Sequence, residues 1–183
     1  PYIFKTDDFG RTWNNISGNL PDKAYVWVVR EDPKNLDILY AGTELGLFVS
    51  FSGGKNWIKL QMKNLPTVSV HDILIHPKEN DLILGTHGRG MWIMDDISAL
   101  QEIKAEMLAS PAYLFSVRSA LRHAMKPVRY GIGDKIFRGA NAPYGALITY
   151  YLKEKIDKNQ AVRIEILDKS GKAIRELKNL SQE

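Results

Sequence analysis

The sequence predicts an all-β protein: about two consecutive blades of a β-propeller, a short helical linker and the opening strands of a β-sandwich. Three observations predict it. A motif recurs at a spacing near 44 residues, the span of one small antiparallel sheet in a propeller. Short runs of β-branched and aromatic residues alternate with Pro, Gly and Asx turns. The repeat stops after Asp96, where a helical periodicity gives way to a second set of strands.

The repeat is legible residue by residue. Phe4 to Trp13 aligns with Phe48 to Trp57, and Trp13 and Trp57 lie 44 residues apart. Asp32-Pro33-Lys34 recurs as His76-Pro77-Lys78, and Asn19-Leu20-Pro21 recurs as Asn64-Leu65-Pro66. Ala41-Gly42-Thr43 matches Leu84-Gly85-Thr86, and Gly46-Leu47-Phe48 matches Gly90-Met91-Trp92.

Strands are expected at Tyr25 to Arg30, Ile38 to Ala41 and Leu45 to Phe51, then again at Val68 to Ile75, Leu82 to Leu84 and Met91 to Met94. Asp32 to Asn35 and His76 to Asn80 read as Pro-initiated hairpin loops, and Ser52-Gly53-Gly54 supplies residues that accept positive φ. About four strands per unit make one blade.

Thr6-Asp7-Asp8-Phe9-Gly10-Arg11-Thr12-Trp13 resembles the Asp-box (BNR-type) pattern Ser/Thr-x-Asp-x-Gly-x-x-Trp of sialidases, other Asp-box glycosidases and sortilin-type receptors. The resemblance implies a structural hairpin turn on the outer edge of a blade, built by Thr6, Asp8, Gly10 and Trp13. The second copy, Ser50, Ser52, Gly54 and Trp57, has Ser52 in the place of the Asp, so the same shape with a looser turn is expected. More widely, Glu31 to Pro33, Ala41 to Ser50 and Gly85 to Ile93 are similar to large bacterial sortilin-like propeller proteins, often called glycosyl hydrolases by analogy. Ala140 to Leu152 and Val162 to Asp168 are similar to the start of the immunoglobulin-like module that follows the propeller there. This resemblance implies a secreted or periplasmic protein, partnered first by the remainder of its own propeller.

Three segments follow: 1–96 as the last blades, 97–110 as a helical linker and 111–183 as the start of the sandwich. The linker carries Ile97, Leu100, Ile103, Met107 and Leu108 on one helical face, with Ser98 as its cap. Ala112 to Ser116, Ala146 to Leu152, Val162 to Leu167 and Ala173 to Leu177 read as sandwich strands, with a turn at Asp168 to Lys172. Four strands do not close such a sandwich. Both ends of the sequence therefore look cut from a longer chain, and the isolated blades are expected to aggregate or borrow partners.

Composition narrows the function classes. The net charge of +4 arises from 25 Lys and Arg against 21 Asp and Glu, spread along the chain without the stripe that nucleic-acid binding wants. The densest basic stretch, Arg118, Arg122, His123, Lys126 and Arg129 with Tyr130, reads as solvated surface or an inter-domain contact. No apolar run reaches the roughly 18 residues of a membrane span. The absence of cysteine removes disulfides and thiolate metal sites, and His71, His76 and His123 show no metal-ligand spacing. No metal or cofactor is implied.

Gly85-Thr86-His87-Gly88-Arg89-Gly90 is the most unusual string: a glycine-bracketed loop able to present Arg89 and His87 to an anion. The plainer reading pairs Arg89 with Asp95 or Asp96. Glu44 occupies the matching turn of the preceding unit, so Glu44 and Arg89 line one surface or pair with each other. Trp13, Trp57 and Trp92 recur with the repeat and read as core, with Trp27 outside that series. The expected function is that of a non-catalytic part of a larger extracytoplasmic propeller protein, a protein, peptide or glycan binding or scaffolding surface. The alternative is a glycoside hydrolase, sialidase-like or other, whose two carboxyl groups lie elsewhere.

Overall fold

The computed structural model describes residues 1–62, 64–122, 139–141, 143–156 and 161–178, which form thirteen strands and two short helices. The fold is all-β; among the described residues every strand pairing is antiparallel and no sheet closes into a barrel.

Three sheets stack in chain order. The first is a hairpin of β1 (Phe4–Lys5) and β2 (Asn14–Asn15). The second has four strands in sequence order: β3 (Val26–Glu31), β4 (Leu39–Thr43), β5 (Gly46–Ser50) and β6 (Ile58–Lys59). The third is β7 (Val70–Ile75), β8 (Leu82–Thr86) and β9 (Met91–Met94). The 44-residue repeat thus does not coincide with a single sheet. It runs from the outer hairpin of one sheet to the outer hairpin of the next, so the described residues hold one four-stranded sheet between a two-stranded and a three-stranded one.

Strand alternation splits the core into two layers. From the central sheet, Leu39, Ala41 and Phe48 face Ile3 and Leu20 on the first-sheet side, where Trp57 also packs. Tyr40, Leu47 and Val49 point the other way, onto Val70, Ile73, Leu82 and Leu84 of the third sheet. The second layer is tight because Gly42 has no side chain: a Cβ there would lie 2.6 Å from the Val70 carbonyl oxygen and 2.7 Å from Val28. Of the repeated tryptophans only Trp57 is fully buried. Trp92 is half-buried, and Trp13, expected in the core, is 59% exposed because among the described residues no sheet covers its face.

The single amphipathic helix expected in the linker is two: α1 (Ser98–Gln101) and α2 (Ala105–Ala109). Ser98 is not the cap but the first helical residue. Its hydroxyl donates to Asp96 Oδ1 at 2.5 Å and accepts from Asn80 Nδ2 at 2.9 Å, so it ties the helix sideways to the third sheet. Ile97 and Met107 are buried, and Leu100 packs on the second core layer.

A polar network locks this end of the stack. Asp32, fully buried, accepts the Lys34 and Asn35 amides, the Tyr40 hydroxyl and both of its oxygens' contacts with Gln101 Nε2 at 2.9 and 3.0 Å. Gln101 also joins Asn80, itself 1% exposed. His76, the repeat counterpart of Asp32, accepts the Glu79 amide on Nδ1 and serves as a turn residue.

Beyond the linker, β10 (Ala112–Leu114) pairs with β11 (Tyr150–Leu152), and β12 (Arg163–Leu167) pairs with β13 (Ala173–Lys178). The expected turn at Asp168 is present, its Oδ1 accepting from Ser170 and Lys172. Arg118 bonds the carbonyls of Lys78 and Glu79 and pairs with Asp96 at 3.3 Å, an inter-segment contact. His123, Lys126, Arg129, Tyr130 and 179–183 lie outside the described residues.

Candidate functional site

At the end of the stack opposite the Asp32 network, two pairs of repeat-related positions converge. Strand β3 carries a bulge that leaves Trp27 without a ladder partner between Val26 and Val28; β7 carries the matching bulge at His71, between Val70 and Asp72. A bulge re-aims a side chain that regular pairing would send elsewhere. Here both rings turn onto one surface: Trp27 and His71 have centroids 4.3 Å apart, and His71 and His87 are 5.2 Å apart.

The turns complete the cluster. Glu44, in the two-residue turn between β4 and β5, is fixed through its backbone amide on the Tyr25 carbonyl, and His87, in the turn between β8 and β9, through its amide on the Ser69 carbonyl. Glu44 Oε2 accepts the Trp27 indole N–H at 2.9 Å and the Ser69 hydroxyl at 3.0 Å. These two hydrogen bonds, helped by the nearby His71 and His87, hold the Glu44 carboxyl below the usual glutamate range. The result is a carboxylate kept ionised beside a face of three rings, with Trp27 52% exposed and His71, His87 and Glu44 exposed as well.

Arg89 stands apart from its expected partners. The β8–β9 turn is one residue longer than the β4–β5 turn, since Gly42 pairs with Leu47 while Gly85 pairs with Met91. Gly88 and Gly90, at φ of 75° and 70°, carry the extra length and leave Arg89 exposed on its crest. Asp96 is taken by Arg118, and Arg89 forms no ion pair with Asp95, Asp96 or Glu44; its carbonyl accepts the Trp92 indole N–H at 3.0 Å. Glu44 and His87 therefore share the site, with Arg89 on the same loop as His87.

Trp27, Ser69 and His71 are the site residues that the sequence reading did not assign. The signal was present: Trp27 and His71 are 44 residues apart, as are Tyr25 and Ser69. It had no functional meaning without the bulges.

The two repeated turns are held by side-chain hydrogen bonds to their own backbone. Thr6 Oγ1 accepts the Gly10 amide at 2.8 Å, and Ser50 Oγ accepts the Gly54 amide at 2.9 Å. Asp8 accepts the Thr12 amide at 2.8 Å and its hydroxyl at 2.7 Å, which holds its carboxyl below the usual range. Ser52 Oγ accepts the Asn56 amide at 3.1 Å and shares a hydrogen bond with Ser50 Oγ at 3.3 Å. One neutral acceptor thus replaces a two-oxygen charged one within the same loop.

Among the described residues no group of three or more His, Asp or Glu side chains could hold a metal ion, and no helix is long and apolar enough to cross a membrane. No protein-family model, curated protein or solved structure matches this chain.

Proposed function

We propose that this chain belongs to an extracytoplasmic Asp-box β-propeller protein and that the surface of Trp27, His71, His87 and Glu44 binds a ligand, with a glycan as the chemistry it fits best. The convergence of two repeat-related pairs on one exposed face carries the reading. A flat indole takes the apolar face of a pyranose ring, and a carboxylate with one oxygen engaged offers the other to sugar hydroxyls. Arg89 extends the same rim with a guanidinium suited to an acidic substituent.

The glycoside hydrolase reading is weaker on chemistry. Hydrolysis needs two carboxyl groups about 5–10 Å apart across one sugar, and this cluster contributes one. Its second carboxyl would have to come from a different part of a longer protein.

A glycan array and a panel of chromogenic glycosides, run with the full chain beside Trp27→Ala and Glu44→Ala at matched folding, test the proposal. Binding lost in both variants without turnover supports it. Turnover lost in Glu44→Ala moves the site to a hydrolase. A protein that binds no glycan, or binds one equally well after both substitutions, overturns the glycan reading.

A further inference from the structure

His71 takes part in two ring contacts at once. It stacks on Trp27 with centroids 4.3 Å apart and on His87 with centroids 5.2 Å apart, the planes tilted by 30° and 32°. Glu44 belongs to the same group, since its carboxylate holds the Trp27 indole and the Ser69 hydroxyl and feels the charge of both imidazoles. All of these contacts lie between or within the second and third sheets, so the group depends on no residue beyond them.

Few charged groups surround the two imidazoles. Glu44 comes from the β4–β5 turn, and Arg89 follows His87 on the β8–β9 turn. Asp72 follows His71 on β7 and is held by Arg30 of β3 at 2.9 Å, a pair that compensates itself. The two hydrogen bonds to Glu44 come from neutral donors, so its negative charge is not cancelled by them. With both imidazoles neutral, an incoming anion meets that carboxylate beside uncharged rings. Imidazole is the side chain whose charge ordinarily changes between pH 5 and 8. Glu44, held ionised by its bonds, keeps its charge across that interval. Protons on His71 and His87 therefore reverse the sign of the face. Two imidazolium rings this close repel each other, and a bound anion relieves that repulsion.

We propose that His71 and His87 make ligand binding here proton-linked: a sugar bearing a carboxylate is taken with uptake of protons by the imidazole pair. The inference rests on the glycan reading above and adds the charge of the ligand and the condition that controls its binding. Because the bound state holds more protons than the free one, affinity rises as pH falls through the imidazole range. The stacked indole favours the same state, since a cation within about 6 Å of its centroid is attracted to the ring face. The site fills on mild acidification and empties towards neutrality.

Calorimetry on the full chain tests this with a trimer of galacturonic acid and the same trimer methyl-esterified at its carboxyls. The acidic trimer is expected to bind about tenfold more tightly at pH 5.5 than at pH 7.5, the scale of one added charge pair near a surface. The ester is expected to bind equally at both. Proton uptake is read directly from the imidazole C–H resonances of His71 and His87, assigned through His71→Gln and His87→Gln. At pH 6.5 the acidic trimer should move both towards their protonated positions, and the ester should move neither. Equal affinity of the acidic trimer at the two pH values, or resonances that stay in place on binding, overturns the proton linkage and leaves the glycan reading standing. The same holds if neither trimer binds while a neutral glycan still binds in a Trp27-dependent way. Binding of no glycan at either pH removes the underlying reading as well.

Discussion

The indole N–H of Trp27 donates to Glu44 Oε2 at 2.9 Å, joining the bulged edge strand of the central sheet to the turn that closes its next hairpin. This bond couples an exposed ring to an ionised carboxylate. Because the hydrogen bonds of Trp27 and Ser69 lower the Glu44 pKa in the folded protein, their contribution is present above the unfolded glutamate value and is lost as pH falls through the folded one. The Trp27 indole N–H resonance should therefore titrate with a midpoint below the ordinary glutamate value of about 4.3. Glu44→Gln should remove that titration. A midpoint at or above the ordinary value contradicts the assignment.

The repeated outer turns make an internal comparison. Phe9 adopts φ of 58° and is fully exposed, whereas its counterpart is Gly53 at 61°. Relieving a non-glycine residue of a left-handed backbone outweighs the added freedom of the unfolded chain. Phe9→Gly should stabilise the fold by about 0.5–1 kcal/mol in denaturant melts.

Ser52→Asp should tighten the second turn to the geometry of the first. The gain is expected near 1 kcal/mol at neutral pH, from a charge-assisted bond to the Asn56 amide. Acidification should erase the gain, because the introduced carboxylate acts as the acceptor only when ionised. A gain that persists at pH 2 would exclude this mechanism.

Gly42 sets the distance between the second and third sheets. Gly42→Ala places a methyl against the Val70 carbonyl oxygen, which the backbone of β7 cannot yield without separating the sheets. A loss of about 2–3 kcal/mol is expected. Gly85, the repeat counterpart, has 3.5 Å of clearance to its nearest neighbour, so Gly85→Ala should be nearly neutral.

Gln101 satisfies both oxygens of the buried Asp32 from a helix 69 residues away. Gln101→Ala should cost about 2 kcal/mol, the scale of a hydrogen bond to a charged group. Gln101→Glu should cost more, since a second carboxylate would face the first. Equal stability of both variants and the parent would remove the network from the account of how α1 is held.

Much of the all-β architecture is legible in the sequence because it follows from local rules that repeat. Turn acceptors such as Thr6 and Asp8 bond amides two to four residues away, and strand alternation sends Phe48 one way and Leu47 the other. Both effects are short-range, so spacing along the chain encodes them. Trp13 carries the repeat signature and is exposed among the described residues while Trp57 is buried, since burial depends on which sheet lies opposite.

The sequence by itself determined that strands, turns and a 44-residue period would be present, and which loop would carry His87 and Arg89. Tertiary structure alone decided that Trp27, Glu44, His71 and His87 meet, that Arg89 stays outside the pairing expected for it, and that Asp32, Asn80 and Gln101 share one network. Those contacts join residues distant in the chain across stacked sheets. Their distances are set by the bulges at Trp27 and His71 and by the close approach at Gly42, which no local periodicity records.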